Sequence, residues 1–146
     1  MDGNTREMPG IIKIVMESYS GYSIELYRDK LIITSESINY QYTPYIEIDN
    51  YTPQKWSYKT NSPLYGQLWN DVKMMIPEIF GLPDSGDWIS DSNTYIITVF
   101  FENKQKGKRD FTFCEEPVLT EWLGLIKKMV PSCEKMPNVL KIGKDN

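Results

Sequence analysis

With no histidine among its 146 residues, this chain must find any polar chemistry in carboxylates, thiols, lysines and tyrosines. Imidazole acid–base catalysis, Ser–His and Cys–His nucleophile pairs and His-ligated metals are thereby removed. Glu115 and Glu116 are adjacent, which points their side chains apart, and they sit where a helix should begin; acidic groups there complement its positive end. Asp84, Asp87 and Asp91 share one loop. A calcium loop needs oxygen ligands at alternate positions and a distant bidentate Glu, so this spacing reads as a solvated connection. Cys114 would need a neighbouring cation such as Arg109 to become a thiolate nucleophile; at a strand end it reads as an inert thiol. No Gly-x-Ser-x-Gly, P-loop or dinucleotide fingerprint is present. The chain therefore reads as a non-enzyme with no cofactor and no metal.

One group of residues points to binding. Tyr40, Tyr42, Tyr45, Trp56 and Tyr58 cluster within a short stretch, with Glu47 and Asp49 as an acidic rim. Cross-strand aromatic packing on a half-exposed sheet would explain them. So would a partner-binding surface, because Tyr and Trp anchor interfaces. Lys104, Lys106, Lys108 and Arg109 fall together at a hairpin tip, where lysines keep an edge soluble.

The elements that must position these groups centre on residues 94–131. Tyr95, Ile97, Val99 and Phe101 share one face of a strand, and Ile96 and Phe100 make its other face apolar too, as for a strand covered on both sides. A loop over 103–107 with Gly107 near its end leads to a second strand over 108–113. Pro117 opens a helix in which Val118, Trp122, Leu125, Ile126 and Met129 form the apolar stripe, and Pro131 ends it.

Upstream, alternation over 11–17, 22–26 and 31–34, with turns at 18–21 and 28–30, predicts a three-stranded antiparallel meander. Two further strands are expected near 45–48 and 55–59, pushed to edge positions by Pro44 and Pro53. Ser62-Pro63 starts a helix carrying Tyr65, Leu68, Val72, Met75 and Ile76, which Pro77 ends or kinks. Residues 81–93 form a connecting loop, and Met136, Val139, Leu140 and Ile142 pack briefly before the C-terminus frays. The fold class is α+β: an antiparallel sheet, made of the N-terminal meander and the later hairpin, with two helices on one face. One domain spans 11–142, between a disordered 1–10 and a frayed 143–146.

A net charge of −4 argues against a general nucleic-acid binder. The charge is uneven, with 13 acids and 7 bases in residues 1–92 against 7 acids and 9 bases in the remainder. No apolar run approaches the length of a membrane span, and the N-terminus lacks a signal-peptide pattern. Cys114 and Cys133 have no metal-like spacing and fit free thiols in a cytoplasmic setting, with a single disulfide as the alternative.

The layout resembles small bacterial α+β domains and, more distantly, the emfourins, a family of small protease inhibitors. The shared features are Ser20-Gly21-Tyr22, Trp69 in a helix, the strand 94–99 and the closing helix 117–125. The paired glycines and following Phe-Ala of that family are missing, so the resemblance implies a plan and assigns no residue a role. Small size, acidity and the aromatic run together suggest a monomeric or homodimeric module of immunity-protein or inhibitor type that binds another protein. A small hydrolase using carboxylate, Tyr or Lys chemistry and a self-associating structural module are the alternatives.

Overall fold

Apolar residues at every second position build a six-stranded, wholly antiparallel sheet in the order β4-β3-β2-β1-β5-β6. The computed structural model describes residues 10–19, 27–44, 53–82, 94–111, 117–131 and 137–141. Its strands are β1 (Ile11–Tyr19), β2 (Tyr27–Ile33), β3 (Ser37–Pro44), β4 (Gln54–Lys59), β5 (Thr94–Phe101) and β6 (Lys106–Phe111). Its helices are α1 (Pro63–Met74), α2 (Ile76–Phe80) and α3 (Pro117–Met129), followed by a 3-10 turn at Asn138–Lys141. The α+β class is as expected, with the helices on one face. β1 pairs with both β2 and β5, so it joins meander to hairpin.

Strand parity sorts the side chains. Ile14, Met16, Leu31, Ile33, Ile38, Ile97 and Val99 point inward and are buried under the helices. α3 adds Leu119, Trp122, Leu123, Ile126 and Met129, and Val139 and Leu140 close the core. The buried stripe of α3 is shifted from the expected one: Val118 and Leu125 are only half-buried, because α3 packs against α1 as well as over the sheet.

Ser62 caps α1, its Oγ accepting from the Tyr65 N–H, with Pro63 at the first helical position. The chain breaks at Met75, just before Pro77, whose missing N–H cannot extend the ladder.

Several expectations change. Arg28-Asp29-Lys30, read as a turn, and 31–34, read as a separate strand, belong to one continuous β2, because Asp29 finds hydroxyl partners inside the sheet. β1 runs on through Ser18 and Tyr19, read as the start of a turn, and β3 stands where no strand was expected. The β5–β6 turn is built on Lys104 at φ 73°, held by the Phe101 N–H donating to Gln105 O (2.9 Å) and the Lys104 N–H donating to Phe101 O (3.0 Å). Gly107 is thereby left inside β6. Ile96, Thr98 and Phe100 on the second face of β5 are half-exposed, since α1, α2 and α3 all lie on the other side. The strands expected at 22–26 and 45–48, the loop 83–93, the N-terminal residues 1–9, Cys114 and Cys133 lie outside the described residues. Among the described residues no helix is long and apolar enough to cross a membrane.

Candidate functional site

The aromatic run divides by strand. Tyr40 and Tyr42 occupy inward positions of β3 and are each 1% exposed, so the structure turns them into the core and away from any partner. Tyr40 packs its ring 5.5 Å from that of Trp56, and Tyr42 lies 6.0 Å from Tyr27. Trp56 and Tyr58, on edge strand β4, are half-buried against the same core. The reason is register: Tyr40 and Trp56 are direct cross-strand partners, and so are Ile38 and Tyr58, so all point toward the helices. Tyr45, Glu47 and Asp49 lie outside the described residues.

A polar cluster sits within this aromatic layer. Asp29, 1% exposed, accepts from Ser18 Oγ and from Tyr40 OH, the latter at 2.7 Å. Ser18 is fully buried. A carboxylate between two hydroxyls could polarise either of them, but this one is 1% exposed at an inward position of β2, and burial so complete suits a structural network. The described residues contain no group of three or more metal-ligating side chains.

Tyr65 on α1 donates its hydroxyl to Thr34 O (2.8 Å) and Ser37 O (3.0 Å), fastening the helix start to the β2–β3 turn. Burial, and secondarily the neighbouring Tyr58, pushes this phenol well above the ordinary tyrosine range. A raised phenol pKa means the folded state holds its proton after the unfolded chain has lost its own, so stability falls as pH rises beyond about 10. Tyr65→Phe is expected to lose about 1 kcal/mol at neutral pH. It should also show a shallower alkaline loss than the parent chain in urea unfolding at stepped pH. Equal slopes would place the phenol in water.

The opposite face of the sheet is chemically distinct. Lys13 on β1 and Arg28 and Lys30 on β2 point outward, as do Lys55 and Lys59 on β4. Lys106 and Lys108 on β6 complete the set. Among the described residues the carboxylates on this face are Glu17 and Asp110. Glu17 is already engaged, 3.6 Å from the Arg28 guanidinium and 3.4 Å from Tyr19 OH. Among the described residues, seven cations against two acids make this face basic on a chain of net charge −4.

Through its centre runs an uncharged row in direct cross-strand register, Ser57, Asn39, Ile32, Val15 and Thr98. The flanking aromatics are occupied. Lys13 Nζ lies 4.5 Å from the centroid of Phe100, and the Arg28 guanidinium lies 5.5 Å from that of Tyr19.

The sequence reading did not find this surface, because its cations are scattered along the chain. Their common signal is parity: in β1, β2, β4 and β6 each lysine occupies the position alternate to an inward one. Comparison with known protein families, with characterised proteins and with solved structures finds no match to the chain.

Proposed function

We propose that this chain is a non-catalytic protein-binding module whose outer sheet face docks against an acidic surface of another protein. One observation carries the reading: the chain is acidic overall, yet among the described residues the sheet face away from the helices holds seven cations and two acids around an uncharged central row. An apolar or neutral centre with a charged rim is the usual anatomy of a protein interface. A face of one sign steers a complementary partner into encounter and raises the association rate.

The outward aromatics of the described strands, Tyr19 and Phe100, lie beneath cations, and so offer little of the open stacking platform that single-stranded nucleic acid uses. Exposed lysines on β4 and β6 also discourage edge-to-edge pairing with a second copy. A module of the immunity or inhibitor kind needs no chemistry beyond such a face, since occupying its partner's surface completes its task.

The test is a comparison of three tagged proteins used to capture partners from lysate of the organism of origin. Parent chain and Lys127→Glu/Lys128→Glu, altered on the exposed side of α3, are expected to retain the same stoichiometric protein and release it as salt rises. Lys30→Glu/Lys108→Glu should lose it at least tenfold. Retention by the outer-face variant contradicts the reading, and so does loss of the captured material on nuclease treatment.

A further inference from the structure

A second surface feature lies on the helix side of the sheet and owes nothing to the basic face. Between the α1–α2 corner and the ends of β1, β5 and β6 is a groove of about 610 Å³. That volume is within the range of small-molecule sites.

Its origin is legible in the chain. Gly107 is an inward position of β6, opposite Val99, and its φ is not in the left-handed region. The backbone therefore does not require glycine there, and an interior strand glycine weakens a sheet. What the glycine leaves is room: a Cβ at 107 would lie 3.5 Å from Phe80 Cε2, and a longer side chain would enter the groove. Gly10, just before β1, also lines it without a side chain.

The remaining walls are Ile11, Ile76, Pro77, Phe80 and Phe101, with Met74 at the lip, 77% exposed. A methionine so exposed beside an apolar cleft is an adaptable contact surface. Polar side chains enter the described lining at one place only, Asn70 and Lys73, one turn apart on α1. On the sheet-side wall the Glu102 carboxylate lies beside Gly10, where a Cβ would meet its Oε2 at 2.8 Å. An anion is thus repelled at the sheet side and favoured at the helix side.

We infer that this groove binds an aliphatic carboxylate of medium chain length, its tail among Ile11, Ile76, Phe80 and Phe101 and its head at Lys73 and Asn70. The Lys73 ammonium, 5.6 Å from the Trp69 ring centroid, is a point charge on a flexible stem that can turn to a carboxylate head, and the Asn70 amide can donate alongside it. The tail removes apolar surface from water.

The test is calorimetric titration of the full chain with decanoate, decan-1-ol and decyltrimethylammonium, each below its micellar concentration. Decanoate is expected to bind at one per chain, and at least tenfold more tightly than the quaternary ammonium. Lys73→Gln should remove most of that preference while leaving the alcohol unaffected. Gly107→Leu, which fills the groove, should abolish binding of all three.

Because a strand substitution can impair folding, a decanoate bearing a nitroxide at its tail gives an independent reading on the parent chain. It should broaden the amide signals of Phe80, Phe101 and Gly107 and spare those of Ser57 and Lys59 on the far edge strand β4. Absence of decanoate binding, equal binding of the cation, unchanged binding in a folded Gly107→Leu, or broadening centred on β4 each overturns the inference. The first of these would leave the groove to an apolar side chain of a protein partner.

Discussion

Trp122→Ala should lower the unfolding free energy by about 3–5 kcal/mol, the largest effect expected of any single substitution discussed for this chain. Trp122 is completely buried on α3, and its Nε1 donates to the carbonyl of Val72 at 3.0 Å. That carbonyl lies in the last turn of α1, where the chain turns at Met75 and the regular ladder ends before Pro77. The same carbonyl accepts from the Met75 N–H at 3.3 Å, where the ladder loosens at the helix end, so the indole is its shorter partner and does two things at once. It fills the space between α3 and α1, and it satisfies a backbone acceptor at the α1–α2 corner.

Alanine would leave a cavity and remove that donor. Trp122→Phe keeps most of the volume and should cost roughly 1–2 kcal/mol. Urea unfolding with unchanged slope measures both. A loss below 1 kcal/mol for the alanine variant would mean that α3 is not seated on α1 as described.

Asp29→Ala should cost about 3 kcal/mol, for a different reason. Asp29 replaces the aliphatic residue that alternation would place at an inward position of β2, and it does so with Ser18 and Tyr40 directed at it. Removing the carboxylate takes its acceptor oxygens from the Ser18 and Tyr40 hydroxyls, and hydrogen bonds to a charged group contribute about 1.5–3 kcal/mol each. Asp29→Asn keeps one acceptor oxygen and presents an N–H₂ where a hydroxyl now donates, so roughly half the loss is expected. A double-mutant cycle of Asp29→Ala with Ser18→Ala should show a coupling of about 1 kcal/mol or more. Independent, additive losses would show that the three groups do not act as one network.

Much of the fold was legible because local signals agreed with one another. Ser62-Pro63 and Pro117 mark helix starts by capping chemistry, and both helices begin there. The strand expected at 55–59 is β4, and it lies at an edge as its flanking proline implies. The misreadings occur where tertiary partners outweigh local propensity. Arg28-Asp29-Lys30 looks like a turn until Ser18 and Tyr40 arrive from neighbouring strands to satisfy Asp29. Gly107 looks like the left-handed residue of a hairpin loop, yet Lys104 takes that conformation.

The aromatic run shows the same limit. Composition marks Tyr40, Tyr42, Trp56 and Tyr58 as one group, but only register tells that their strand positions face the helices. The basic face was hidden for the complementary reason. Lys13, Lys30, Lys55 and Lys108 are far apart in sequence and become one surface only when the strand order β4-β3-β2-β1-β5-β6 is known. An overall charge of −4 masks it further, because the acids of the described helices, Asp71, Glu78 and Glu121, belong to the other layer.

The most direct measurement of the central claim is lysine acylation of the free chain and of its complex with the captured partner, read residue by residue by mass spectrometry. The outer-face reading expects Lys30, Lys55 and Lys108 to be protected in the complex, while Lys127 and Lys128 on α3 react as they do in the free chain. Protection of Lys127 and Lys128 with Lys30 and Lys108 still reactive would place the partner on the helical layer and contradict it.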